Sequence, residues 1–414
     1  MRGQIAIADR MRFPTDKNIR AVYLVMLVLG LAYGMSVGVL PIHLDRTLQF
    51  SKIEIGQLAA FFAGGLIVSS MPTGSLVARF GAKRVLTFAL AGYGVSLIAM
   101  SFARTFPEVA AVRAVDGIAS VSVWVAAETL LLERGEAAEK AVVMSFYALA
   151  LALGYVFGPL NAYLVSRFFP AAAAFPISAA LSFLAAGLAA TKLDDLEEGP
   201  NAKTSHEKEI ALLVTNEPAR GYFAIFRRIK TSAIATLTYG AFQSSVVLFL
   251  PIFLERERSI AIEHTMYVPA FFAAGMLLFS NYASSLGDKY GHLRLMILFA
   301  IIGCVMIGLF PFIRWFPLMC FDVFIAGAAL ASLSPLALAL QGLVVNEHEL
   351  GRANAIYNAL YATGILLGPV VASQIFEHFR GTAMLLSLSA IWAFYAVFAW
   401  LNSADDPRYR SVTP

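Results

Sequence analysis

The chain is poor in charge. Only 14% of its 414 residues are Asp, Glu, Lys or Arg, whereas a soluble globular domain carries about a quarter. That shortage excludes an ordinary water-soluble protein, because 59% of the residues are apolar and the mean hydropathy is +0.72. So much apolar surface must face lipid. Cysteine is nearly absent. Cys304 and Cys320 lie in separate apolar runs, which excludes a disulfide framework and a CxxC metal motif. The six histidines are scattered and none has HExxH spacing. Glu347-His348-Glu349 has no further ligand nearby, so no metal and no cofactor are expected. No GxxxxGK[ST] loop is present, which leaves the chain without an ATP engine of its own. No basic stripe marks a nucleic-acid surface, and nothing points to an enzyme. The stretch before the first apolar run is too polar for a cleavable signal peptide, and that run is too long for one. The first helix is expected to remain in the protein.

What the sequence has is long apolar runs. A transmembrane helix needs about 20 mainly apolar residues, and twelve such runs are read at roughly 20–42, 55–77, 83–103, 108–132, 141–165, 171–190, 232–254, 266–286, 293–313, 319–345, 353–375 and 382–401. Backbone amides in hydrocarbon must be satisfied within their own segment, so the runs are helices. Most lysines and arginines fall in segments on the N-terminal side of the membrane. The alternate loops hold only Arg46, Lys52, Arg104, Arg167, Arg256, Arg258, Arg314 and Arg380. The positive-inside rule then places both termini in the cytoplasm of a bacterial inner-membrane protein. Residues 191–231 are the one long polar stretch. They read as a cytoplasmic linker between a bundle over 1–190 and another over 232–414.

Those two segments repeat one another. Leu40-Pro41-Ile42-His43-Leu44 matches Leu250-Pro251-Ile252-Phe253-Leu254, an offset of 210 residues, the separation of Pro41 and Pro251. The same register pairs Phe61-Phe62-Ala63-Gly64-Gly65 with Phe271-Phe272-Ala273-Ala274-Gly275. It also pairs Gly154-x-x-x-Gly158-Pro159 with Gly364-x-x-x-Gly368-Pro369. With Ser75-Leu76 and Arg79-Phe80-Gly81 against Ser285-Leu286 and Lys289-Tyr290-Gly291, one ungapped register holds over four matches and implies a duplication. The expected fold is an all-α membrane protein of twelve helices in two pseudo-symmetric six-helix bundles. Parallel halves about an axis along the membrane normal are the architecture of carriers with a midplane site and alternating access.

The loop after the second helix reads Gly74-Ser75-Leu76-Val77-Ala78-Arg79-Phe80-Gly81-Ala82-Lys83-Arg84. Its echo reads Ser284-Ser285-Leu286-Gly287-Asp288-Lys289-Tyr290-Gly291-His292-Leu293-Arg294. Both resemble the Gly-x-Leu-x-Asp-Arg-x-Gly-x-Lys-Arg loop of the major facilitator superfamily. In that family the acid meets the positive end of a facing helix and holds the inner side shut. Asp288 fits that role. Ala78 lacks the acid, which leaves the matching lock of the first half in doubt. Gly74, Arg79, Gly81, Arg84, Lys289, Gly291 and Arg294 are the remaining gating candidates, and topology anchoring is their alternative role. Gly154-x-x-x-Gly158-Pro159 resembles the motif of the family's proton-coupled exporters, although Asn161 stands where that pattern has glycine. Close helix packing explains the same residues equally well, and also Gly364, Gly368 and Pro369.

Arg113, Asp116 and Glu128 lie inside the fourth apolar run, where ionisable groups are costly and functional by default. With Gly117, Ser120 and Trp124 they share one helical face, expected to look into a central cavity. Arg113-x-x-Asp116-Gly117 resembles the family's Arg-x-x-Gln-Gly motif, with an acid one turn from the arginine. The pair is either broken by an arriving proton or a static strut. Glu128 is about 22 Å further along the axis. Trp124-x-x-x-Glu128 resembles the YcaD-like branch of the superfamily. Tyr33, Gln243, Asn354, Tyr357 and Asn358 are candidate polar contacts to substrate, and Asp322 opens helix ten.

The resemblance implies a monomeric secondary transporter whose partners are a small molecule, protons and lipid. The resemblance of Gly154-x-x-x-Gly158-Pro159 to the exporter motif implies efflux, the acids of the fourth run would exchange protons, and sparse charge favours a mostly apolar organic compound. A proton-coupled importer of a small monocarboxylate is the alternative, with Arg113 as the anion's partner. A non-transporting sensor or a lipid flippase is the alternative from another class.

Overall fold

The computed structural model describes residues 16–134, 140–194, 221–345 and 349–406. The described residues build helices α1 (Lys17–Ile42), α2 (Lys52–Phe80), α3 (Ala82–Phe102), α4 (Phe106–Arg134), α5 (Lys140–Ser166) and α6 (Ala174–Lys192). Then follow α7 (Tyr222–Arg258), α8 (Ile262–Tyr290), α9 (His292–Leu309) and α10 (Phe316–Val344). The final helical stretch, Leu350–Leu401, is far longer than the roughly 20 residues one crossing needs. Arg380 breaks it with φ 75° and ψ 163°. Glu257 accepts a hydrogen bond from the Gly381 amide at 2.5 Å and so caps the start of a new helix. The stretch is therefore two crossings, α11 over 350–379 and α12 over 381–401. The protein is a multi-pass membrane protein of twelve helices in two six-helix bundles.

Proline and glycine set the local breaks. Pro335 lacks an amide hydrogen and its ring crowds the carbonyl four residues back, which explains the interruption of α10 near Ser332. Gly81 and Gly291, repeat mates, turn the chain between helices with φ of +83° and +97°, a region that L side chains disfavour. The expected linker over 191–231 is corrected at its end. α7 starts at Tyr222, because Phe223, Ile225, Phe226 and Ile229 extend the helical pattern below the apolar run, and Ile225 and Ile229 are buried.

Small residues bring helices into backbone contact. Gly154 and Gly158 of α5 lie against Gly30 and Gly34 of α1, with no room for a Cβ on any of the four. In the second bundle Gly364 and Gly368 of α11 lie against Leu237, Gly240 and Ala241 of α7. Gly65 and Gly117 join α2 to α4, and their mates Gly275 and Gly327 join α8 to α10 in the same way. Lipid supplies no hydrophobic drive between helices, so close packing of this kind holds the bundle together.

The two bundles meet through one half of their length only. Asp16 and Asp406 mark the terminal face; the opposite end, at Asp45 and Arg380, is the far face. The hydrogen bonds and ion pairs that join the bundles at the far face are Asp45 to Arg256, Arg46 to Glu255, and the Lys52 amide to Glu377. Below them Tyr163 of α5 meets the Tyr267 ring of α8 at 5.2 Å, and Gly56 of α2 packs on Pro369 and Ser373 of α11. At the terminal face, polar contacts bind each bundle to itself. Asp194 pairs with Asn18 and Lys17 in the first, and Glu349 with Arg228 in the second. The far face is therefore closed. Gly154→Val is expected to lower the melting temperature in detergent by several degrees, since overpacking against backbone costs about 1–3 kcal/mol. Gly74→Ala, where a methyl group meets open space, is expected to leave it within about a degree.

Candidate functional site

The charged stripe of α4 folds against its own bundle. Arg113 donates to Asp116, and Ser120 donates to the other carboxylate oxygen at 3.2 Å. Tyr33 of α1 donates in turn to Ser120. The Tyr33 ring stacks on Tyr93 of α3, centroids 4.4 Å apart, and the Tyr93 hydroxyl shares a hydrogen bond of 2.9 Å with Ser36. Hydrogen bonds thus run from Arg113 to Tyr33, and ring stacking carries the contact on to Tyr93 and Ser36, through three helices. The Arg113 guanidinium also lies 4.3 Å from the centroid of Phe62 on α2, a cation–π contact. Each charge is compensated locally, which is the condition for keeping it among apolar helices.

The expectation that one continuous face looks into an open cavity is corrected. Asp116, Ser120 and Tyr33 are buried, at 6%, 0% and 4% exposure, and Gly117 is pressed on the Phe62 carbonyl of α2. The reason is that 100° steps spread the stripe over more than one contact, so part of it serves the α2 and α1 seams. Trp124 is half-buried, stacks on Tyr33 at 6.4 Å, and its indole Nε1 has no hydrogen-bond partner among the described residues. Glu128, also half-buried, is hydrogen-bonded to Tyr147 of α5. The α4 acids therefore sit at two depths, each with a tyrosine from another helix.

The second bundle contributes neutral groups. Gln243 of α7 accepts from the Tyr361 hydroxyl at 2.7 Å, and Tyr361 stacks beside Tyr239. Tyr357 is buried and shares a hydrogen bond of 2.9 Å with Ser334 of α10. Asn354 accepts from Gln341 at 2.6 Å, and Asn358 is exposed and away from the Arg113 chain. No hydrogen bond among the described residues joins them directly to Arg113 or Asp116. Sequence reading gave no role to Tyr93, Tyr155, Tyr239 or Tyr361, although tyrosine within an apolar run is itself a signal that a hydroxyl needs a partner. Asp322 was noted only as a helix-opening acid. Its carboxyl is 5% exposed inside α10 and has no hydrogen bond among the described residues.

The loop candidates sit at the terminal face. Arg79 and its mate Lys289 are exposed and lie over their own neighbours, the rings of Phe80 and Tyr290, at 5.2 and 5.0 Å. Gly81 is exposed, as is Arg84, and the His292–Leu309 helix after Gly291 is capped by Asp406, which accepts from the Leu293 amide at 3.1 Å. The side chain of Asp288 lies outside the described residues, as do Glu347 and His348. Among the described residues no group of three His, Cys, Asp or Glu is placed to hold a metal ion.

Twelve helices in two like bundles, closed on one face and carrying an ion pair in the interior, are the build of a membrane carrier. The chain matches the model of the Major Facilitator Superfamily over residues 22–261 and 232–414, and it belongs to that family. It is 23% identical over 385 residues to an uncharacterized MFS-type transporter of Methanocaldococcus jannaschii, covering 93% of this chain and 96% of that one. It is 20% identical over 387 residues to the uncharacterized MFS-type transporter YcaD of Salmonella heidelberg, covering 92% and 95%. Similar solved structures are the nucleoside transporter NupG (TM-score 0.73, 15% identity, 94% and 99% covered) and the D-xylose-proton symporter (TM-score 0.73, 17% identity, 92% and 97% covered). An inward-facing, unoccupied bacterial homolog of the human lysosomal transporter Spinster is similar too (TM-score 0.75, 13% identity, 94% and 97% covered). These likenesses show the fold. The protein is a transporter and not an enzyme.

Arg113→Ala is expected to destabilise the folded protein by about 3–5 kcal/mol, because it strands a buried carboxylate. The double replacement Arg113→Leu with Asp116→Leu is expected to recover most of that loss. Denaturant titration of the purified variants checks both values.

Proposed function

We propose that this carrier exports a small, largely apolar organic compound in exchange for protons by alternating access. The observation that supports it is the charge inventory of the interior. Among the described residues Arg113–Asp116 is the one ion pair held deep between helices rather than at their ends. It is already neutral as a pair, and it is linked through Ser120 to Tyr33 of α1. A proton delivered to Asp116 removes the carboxylate that holds Arg113. It also changes the hydrogen bonding of Ser120 and Tyr33, and so biases the packing of α1 against α4. That is a local charge change acting on a two-state element. Glu128, nearer the terminal face, is the matching acid for proton release.

The substrate class follows from the same inventory. Gln243, Tyr361, Trp124 and Tyr357 offer isolated hydrogen bonds within aromatic walls, which suits an apolar molecule with few polar groups. The compensation of Arg113 by Asp116 counts against a monocarboxylate as substrate, since such an anion would have to displace the acid. The family's terminal loops, with Asp288, Lys289, Arg294 and Arg79, supply the contacts that close the terminal face in the opposite state. The excess of lysine and arginine on that face supports a cytoplasmic placement for both termini in the bacterial inner membrane. One chain contains both bundles and the site between them, so a monomer suffices.

In proteoliposomes with an imposed proton gradient, the wild-type protein is expected to move a lipophilic fluorescent compound against its concentration. Asp116→Asn is expected to lower that uphill flux at least about tenfold. Uphill flux that is unaffected by Asp116→Asn or by collapse of the gradient would end the antiport reading.

A further inference from the structure

The repeat extends two residues past the stretch that first identifies it. Asp45-Arg46 follows the first Leu-Pro-Ile run, and Glu255-Arg256 occupies the same register 210 positions later, the separation of Asp45 and Glu255. Each half therefore carries an acid and an arginine at the far end of its first helix. The structure pairs them crosswise. Asp45 accepts from Arg256 Nε at 2.7 Å, and Arg46 donates to Glu255. Residue i of one half meets residue j of the other, and the mate of j meets the mate of i. That reciprocity is the mark of a two-fold interface, here within one chain.

The arrangement is built rather than incidental. α1 ends in a π-helical turn, His43–Thr47, while α7 runs on as regular helix to Arg258. A π turn re-aims the side chains it carries, and this one sets Asp45 fully inside, at 0% exposure, against 10% for Glu255. Asp45 also accepts from Lys52 Nζ at 2.6 Å. The Lys52 backbone amide reaches back across the bundles to Glu377 on α11 at 3.0 Å. The local charges are thus Asp45, Glu255 and Glu377 against Arg46, Lys52 and Arg256, with Glu257 engaged on Gly381 and Thr382. Just beneath, Gly56 sits so close to α11 that a methyl group there would fall 2.5 Å from Ser373 Oγ.

We infer that Asp45, Arg46, Glu255 and Arg256 form a two-fold ionic latch that holds the far face shut and must open as a unit before that face can admit or release substrate. The inference rests on the alternating-access reading of the carrier. Tilting one bundle away from the other pulls both pairs apart together, because the pseudo-two-fold axis passes between them. The buried Asp45 then loses Arg256 and keeps only Lys52 of its own bundle. The closed face is thereby stabilised as a state and not as a range of partial openings. The duplicated dipeptide is the sequence record of the device.

The test needs no substrate. Cys304 and Cys320 are first replaced by serine. A single cysteine is then placed at Ser373, which is 1% exposed under the latch, or at Ser75, which is exposed at the terminal face. The protein is reconstituted in nanodiscs, so that both faces meet a hydrophilic maleimide. Adding D45N and E255Q is expected to raise the labelling rate of Ser373→Cys at least about tenfold and to lower that of Ser75→Cys. Exchanging the second pair, R46E with E255R, is expected to keep Ser373→Cys protected as in the parent. An unchanged Ser373→Cys rate in D45N/E255Q, or a rise at both positions together, overturns the latch. Since labelling reads closure alone, absence of proton-driven flux with a normal labelling shift would count against the transport reading and not against the latch.

Discussion

Helix-to-helix contact without a hydrophobic drive is the constraint on which everything else in this protein depends. Apolar side chains gain nothing by leaving lipid for one another, so cohesion comes from close approach and from polar bonds made where no water competes. Gly30 and Gly34 against Gly154 and Gly158, with Gly240 against Gly364, supply that approach at equivalent places in the two bundles. Within a bundle these seams run along much of the helix length. Between bundles the tight contacts are confined to one end. A molecule so built bends between its halves and not within them.

The polar groups follow the same division. Inside the first bundle, Arg113, Asp116, Ser120 and Tyr33 satisfy each other through direct bonds, which lets them stay charged or polar in a medium that penalises both. Inside the second, Gln243, Tyr361, Tyr357 and Ser334 do so with neutral groups only. Duplication gave two bundles of one shape, and later divergence placed the interior ion pair in the first alone, the second keeping the single acid Asp322. The register 210 residues on from Asp116 holds Ala326, and that on from Arg113 holds Val323. A chemical step located in one half can then be transmitted to a hinge that belongs to both.

Much of the fold was legible in the sequence, because membrane helices announce themselves by length and hydropathy and the repeat fixes their grouping. The start of α7 was not, since residues 222–231 mix charge with buried isoleucine and look like linker until they are placed on a helix. The α11–α12 break at Arg380 was legible only as a polar interval. Its cause, the Glu257 cap from another helix, lies 124 residues away and leaves no local mark. The candidate site was legible as a set of residue types but not as a set of contacts. Helical periodicity told that Arg113, Asp116 and Ser120 share a side of α4, yet whether that side faced a cavity or α1 depended on where Gly30 and Gly154 allow α1 to sit. The crosswise pairing of Asp45-Arg46 with Glu255-Arg256 was within reach of the repeat. It lies one dipeptide past Leu44 and Leu254, where Asp against Glu preserves charge without preserving identity, and the expected repeat left it out.

That omission bears on how a duplicated carrier is built. A sequence repeat conserves shape where packing is tight, as in the glycine seams, and conserves charge where halves must recognise each other. At the far face the two requirements meet within a few residues, Gly56 sealing and Asp45 pairing, while near Arg113 only the Gly65–Gly117 seam is repeated and the charges have drifted apart. Symmetric contacts are therefore suited to the part of the cycle that is the same whichever molecule is carried, namely closing a face. Asymmetric ones, with Asp116 and Trp124 on one side and Gln243 and Tyr361 on the other, are suited to what must be particular: the molecule carried and, in the exchange proposed above, the proton.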